Sequence, residues 1–150
     1  MLRNSASIEI NRSIEDVFRL TSDHISEWSL TVVEDETLQR TEDGVGTTFR
    51  TVTEENGRRM TFEGIVTQWN PPVHNAVRME GSMFGIFSEF RFESIAAGRT
   101  LVTQNSEVFP KGFFRIILLL FGWLMKKSQC DASRRELESL KRFCETYSGD

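Results

Sequence analysis

After Trp28 the apolar residues change period once, at Pro110, and that change limits what the chain can fold into. Up to that point they recur at every second position in one segment after another. Phe84, Ile86, Ser88, Phe90 and Phe92 alternate with Glu89, Arg91 and Glu93, so one face of that strand is crowded with Phe and the other is charged. Beyond Pro110 and Gly112 the pattern is helical as far as Tyr147, with Leu137, Leu140 and Cys144 at three–four spacing and Gly149 as the stop. One helix from Phe113 to Tyr147 would be about 50 Å long at 1.5 Å per residue, so a bend near Gly122 or Ser128 is expected. Consecutive strands followed by one long helix make an α+β domain, in which the helix covers the apolar face of an antiparallel sheet. At 150 residues the chain is one such domain, residues 1–150.

A short strand and two helices come first. Ile8 and Ile10 alternate within Ser7 to Asn11, and Ser13 then caps a helix with Glu15 and Asp16 in its first turn and Val17, Phe18 and Leu20 on its apolar side. Asp23 is expected to cap a second short helix running to Trp28, and Leu30 to Leu38 is extended. Gly44 and Gly46 lead into a strand from Thr47 to Thr53. Asn56-Gly57 is the strongest hairpin signal, because both central positions of a type I′ turn need positive φ. The returning arm, Arg58 to Trp69, places Met60, Phe62, Gly64 and Val66 on one face. Pro71-Pro72 ends it, and Val73 to Glu80 follows with Asn75 in step with Val73, Val77 and Met79. His74 then falls on the outer face. In the next strand Phe87 breaks the alternation and marks a bulge or an exposed ring. The last strand, Thr100 to Phe109, carries Gln104 and Ser106 in step with Val102 and Val108.

Charge narrows the partners. Lys+Arg 18 against Asp+Glu 22 leaves a net charge of −4, whereas a nucleic-acid binder needs a basic face, so no nucleic acid is expected. The balance is uneven along the chain. From Lys111 to Lys127 there are four cations, Lys111, Arg115, Lys126 and Lys127, and no acid. They bracket the apolar run FFRIILLLFGWLM, Phe113 to Met125, which is shorter than the roughly 20 residues that cross a bilayer. A buried helix with basic ends is one reading of this run, and a peripheral membrane contact is the other.

Chemistry is sparse. His24 and His74 are the only histidines, and neither is placed as a base beside a nucleophile. No His, Cys, Asp and Glu spacing suggests a metal, and Gly44-Val45-Gly46 leads into a strand rather than a helix, so neither metal nor cofactor is expected. Cys130 and Cys144 on one helix would stand about 21 Å apart, too far for a disulfide, and two free thiols fit a reducing cytoplasm. The N-terminus lacks the basic-then-apolar pattern of a secretory signal.

Five segments in order carry a family likeness. They are SIEINRSIEDVFRL (Ser7 to Leu20) with Trp28 shortly after, GVGTTFR (Gly44 to Arg50), VTQWNPP (Val66 to Pro72), FRFES with GRTLVT (Phe90 to Thr103), and the closing ELESLKRFCE (Glu136 to Glu145). Together they resemble the START-like helix-grip superfamily, in particular its polyketide cyclase/dehydrase and lipid-transport group. The resemblance implies a curved antiparallel sheet of about six to seven strands wrapped around a long C-terminal helix, with two short helices after the first strand and an elongated apolar cavity between sheet and helix. It also implies a lipid, steroid, polyketide or other small hydrophobic ligand, with catalysis in a minority of members.

The Phe surplus acquires a place in that picture. Of 12 Phe, eight fall between Phe84 and Phe121, and they lack the polar handle of Tyr or Trp. Core filling is the reading for Phe18, Phe62 and Phe143. Phe84, Phe90 and Phe92 facing Phe113, Phe114 and Phe121 either fill a core or line the cavity. The expected ligand contacts are those six with Trp28, Phe62, Met79 and Ile117, and with Ser88, Gln104 and Ser106 to orient a polar end. The leading expectation is a cytoplasmic carrier or sensor of a hydrophobic small molecule. A cyclase or dehydratase would need a titratable side chain in the cavity, and Arg50, Glu63, Glu107 or His74 turned inward would supply one. A docking module acting through helix 113–125 would expose Ile117, Leu120 and Trp123.

Overall fold

The computed structural model describes residues 2–149. Strand β1 (Leu2–Ile10) leads into helices α1 (Ile14–Asp23) and α2 (Ile25–Trp28). Six strands follow without interruption: β2 (Val32–Gln39), β3 (Thr48–Glu55), β4 (Arg58–Asn70), β5 (His74–Glu80), β6 (Phe84–Ala96) and β7 (Arg99–Pro110). Helix α3 (Gly112–Thr146) closes the chain. The strands form one curved antiparallel sheet in the order β1-β7-β6-β5-β4-β3-β2.

Local signals account for most boundaries. The β3–β4 hairpin turns at Asn56 (φ 52°) and Gly57 (φ 77°), the two positive φ values that an Asn-Gly pair adopts at low cost. Ser13 caps α1 by accepting from the Asp16 amide at 3.4 Å. Asp23 does not cap α2, because it closes α1 instead. His24 takes the cap position without a side-chain bond to the helix amides, its ring pairing with Glu27 at 3.1 Å instead. β1 begins at Leu2, well before Ser7, since Leu2, Asn4 and Ala6 continue its inward alternation opposite Val108, Ser106 and Gln104. Val73 falls outside β5 and is exposed. Phe87 is neither bulged nor bare: it pairs in register with Arg78 and Glu107 on the convex face and is half-buried. The bulge of β6 lies further on, between Ser94 and Ala96.

Helix α3 is one continuous helix through Gly122 and Ser128. It accompanies β1 from Leu2 to Ile10. Leu118 packs on Leu2, the Asn4 amide reaches Gln129 and Ser133, the Lys141 amine donates to the Glu9 carbonyl at 2.9 Å, and the Asn11 amide donates to Glu145 at 2.8 Å. Arg12 finishes the seam by donating to the Cys144 and Tyr147 carbonyls. Two apolar clusters result. The larger joins Ile10, Val17, Phe18, Leu20, Trp28, Phe90, Phe92 and Val102 to Leu137, Leu140 and Cys144. The smaller joins Leu2, Val108 and Leu118 to Phe84, Phe114 and Met125 at the other end of the helix.

Candidate functional site

The facing rings touch one another. Phe18 meets Trp69 and Phe92 edge-on, each at 5.1 Å between centroids, and Phe90 lies 6.1 Å from Phe92 and 6.3 Å from Trp28. Trp28 itself is sealed, with its indole donating to the Thr21 carbonyl at 3.1 Å. At the opposite end Phe84 bridges sheet to helix, 5.6 Å from Phe62 and 5.4 Å from Phe114. Of the helix rings expected to face the sheet, Phe114 does so. Phe113 does not: it is 74% exposed, because α3 leans on β1 through Leu118 and the start of the helix turns Phe113 to the far side. Phe121 is half exposed, and Ile117 on the same stripe is half-buried.

Between the two clusters a strip of the concave face is polar. Asn4, Ser106, Ser88, Val77 and Val66 form one row across five strands, with Gln104 and Phe90 in the next and Met79 and Ile86 in the one before. Ser106, Gln104, Met79 and Ile86 are half-buried. The Gln104 amide donates to the Ser88 hydroxyl at 3.4 Å. Asn4 spends its amide hydrogens on α3, at the Gln129 carbonyl (3.1 Å) and the Ser133 hydroxyl, and its Oδ1 is buried without a partner. Thr67 Oγ1, at the β4 bulge beside Val66, is buried and unpartnered as well. A buried acceptor without a donor is costly, so this strip suits a guest carrying a hydroxyl or N–H among apolar carbons. Asn75 is already committed, donating to Ser22 at 3.1 Å.

Titratable groups lie away from this strip or on the other face. Arg50, Glu63, Glu107 and His74 all sit on the convex side. Arg50 pairs with Glu36 at 3.4 Å rather than with Glu63 beside it, Glu107 pairs with Arg3, and His74 Nε2 lies 2.7 Å from Glu89. The carboxyl on the concave face is Asp35, in the row of Thr51 and Phe62. It accepts from the Thr51 hydroxyl at 2.6 Å, and burial raises it above the usual Asp value, although the residue stays accessible from the open edge. Glu136 on α3 accepts from Ser29 Oγ (2.8 Å) and the Leu30 amide (2.7 Å), tying the loop after α2 to the helix, and burial raises it too. Among the described residues no group of His, Cys, Asp and Glu could hold a metal.

Two clefts flank the α3–β1 seam. One of about 660 Å³ is lined by Leu2, Phe109, Pro110 and Leu118 with Arg115, Leu119, Trp123 and Lys126 of the helix. The other, about 520 Å³, includes Asn4 and Ser106 with Lys126 and Cys130 of α3, and is otherwise lined from the convex side by groups such as Arg3, Glu89 and Glu107. Asn4, Thr67 and Asp35 were not among the site residues expected from the sequence. Alternation extended back from Ile8 would have put Asn4 inward, whereas the β4 bulge that turns Thr67 in interrupts any alternation.

The sequence matches the family model described as polyketide cyclase / dehydrase and lipid transport over residues 1–145. No curated protein matches the chain. Among solved structures, a START superfamily protein from Mycobacterium smegmatis superposes with a TM-score of 0.83 at 19% identity, covering 97% of this chain and 99% of that one. A Thermus thermophilus protein superposes at 0.81, also at 19% identity, over 98% and 99%. An aromatase/cyclase from Streptomyces superposes at 0.71 with 12% identity, over 99% and 98%.

Proposed function

This chain belongs to the polyketide cyclase/dehydrase and lipid transport family, and from that premise we propose that it binds a small hydrophobic molecule on the concave face of its sheet, as a carrier or sensor. The observation that carries this reading is the buried, unpartnered Asn4 Oδ1 in a polar strip between two apolar clusters. The guest's polar end sits at Asn4, Ser106, Ser88 and Gln104. Its carbon skeleton lies along Met79, Ile86, Ile117 and Phe121, where burial of apolar area supplies the affinity. Phe84, Phe114 and Phe62 close one end of the strip, and Phe90, Phe92 and Trp28 the other. Native mass spectrometry of the protein as expressed is expected to find a co-purifying hydrophobic compound carrying at least one hydrogen-bond donor. A protein that is empty and also fails to take up an apolar dye would overturn this.

A cyclase-type activity rests on a different group. Asp35 is a carboxyl on the concave face whose raised pKa keeps it closer to a proton donor than a solvated Asp. Should the protein turn over a polyketide-like substrate, Asp35→Asn would abolish turnover while leaving ligand uptake intact, and undiminished turnover would remove Asp35 from the chemistry.

A further inference from the structure

The first half of α3 is built unlike the second. Leu137, Leu140 and Cys144 are buried, whereas Leu119 is 82% exposed, and Phe113, Ile116, Leu120, Trp123 and Leu124 are each more than half exposed. At about 100° per residue these six side chains span roughly 140° of the helix surface, the side opposite Leu118 and Phe114. A contiguous apolar surface of this kind marks a place of contact rather than a solvated face.

Charge says which partner fits. Arg115, Lys126 and Lys127 flank the surface, are exposed, and have no ion pair among the described residues, while Lys111 is held by Glu80. No acid lies between Lys111 and Lys127, although the chain as a whole is acidic. A second copy docked through the same face in antiparallel fashion would bring Arg115 of one helix towards Lys126 and Lys127 of the other, with no acid between them, so self-association is disfavoured. An anionic bilayer is complementary on both counts: the cations meet lipid phosphates and the broad apolar arc enters the acyl boundary. The run cannot cross instead, since no helix among the described residues is long and apolar enough to do so.

We infer that residues 113–127 dock the protein in the plane of an anionic membrane. The cleft of about 660 Å³ shares Arg115, Leu119, Trp123 and Lys126 with this surface, so docking sets its mouth against the lipid. This inference stands apart from the carrier reading, because an empty protein would dock equally well.

Co-sedimentation of the full chain with phosphatidylcholine vesicles, with and without phosphatidylserine, tests it. Binding is expected only with the anionic lipid, weakening as salt rises. Lys126→Glu with Lys127→Glu should weaken it by more than about tenfold, since each cation near an anionic surface contributes substantially. Leu119→Glu with Trp123→Glu should abolish it. All four positions are exposed, so thermal melting should be unchanged in both variants, and Trp123 emission should shift to the blue on binding. No sedimentation with either vesicle, sedimentation unchanged in both variants, or a Trp123-dependent dimer in light scattering without vesicle binding would each overturn the inference.

Discussion

The amide of Asn4 donates to the backbone carbonyl of Gln129 at 3.1 Å, tying β1 to the middle of α3 and leaving the Asn4 carbonyl oxygen facing a polar strip with nothing to accept from. Asn4→Ala should therefore cost about 1–2 kcal/mol of stability in urea unfolding, because the bonds to the Gln129 carbonyl and the Ser133 hydroxyl are both lost. It should also change selectivity. The parent protein should favour a fluorescent fatty alcohol over its methyl ether, which lacks the donor, and Asn4→Ala should erase that preference. An equal preference in both proteins would place the guest's polar end elsewhere.

The two halves of α3 should respond differently to the same truncation. Leu140 is fully buried against α1 and the sheet, so Leu140→Ala should lose about 3 kcal/mol through lost burial and the cavity left behind. Leu120 is 64% exposed, and Leu120→Ala should stay within about 0.5 kcal/mol. Thermal or urea melts of the two variants distinguish these outcomes. A large loss at Leu120 would mean that the first half of α3 is packed in solution.

The two thiols should differ in reactivity. Burial pushes the Cys144 thiol up to about 12, with Arg12 opposing only in part, so at neutral pH it is protonated and sealed behind the α3–α1 packing. Cys130 is only half-buried. A maleimide titration of the native protein should modify Cys130 quickly and Cys144 only after denaturation, and Cys130→Ser should remove the fast phase. Comparable rates at both sites would contradict the packing of the C-terminal turns.

Glu136 gives the stability a pH dependence of stated sign. Burial raises its carboxyl above 4.5, partly offset by the bonds it accepts from Ser29 and Leu30, so the folded chain holds a proton there that the unfolded chain releases first. Its contribution to stability is full below pH 4.5 and is lost as pH rises through the higher folded value. Asp35 acts in the same direction from 3.8 upward. Urea unfolding across this range should show a shallower decline in Glu136→Gln than in the parent, and identical slopes would rule the assignment out.

Much of the fold was legible in the chain because it depends on local chemistry. Asn56-Gly57 admits positive φ where the hairpin needs it, and Val102, Gln104, Ser106 and Val108 do share the face that their spacing implied. The candidate site was less legible. Asp23 looked like a helix cap because its side chain suits one, yet α1 extends to include it. Phe113 and Phe114 are adjacent and chemically identical, but one is bare and the other packs on Phe84. That difference depends on which side of α3 lies against β1, a long-range contact that no local pattern encodes.

Taken alone, the sequence determined the alternation of the strands, their succession into one long helix, the Phe surplus around that junction and the cations that bracket the apolar run. These follow from residue spacing along the backbone. Only the tertiary structure decided that the Phe rings of sheet and helix meet through Phe84 and Phe114, that α3 follows β1 and leaves its first half uncovered, and that Asn4 ends with a buried acceptor unpaired. Each of these depends on how elements far apart in the chain share space, where close packing and the demand for hydrogen-bond partners are met or left open.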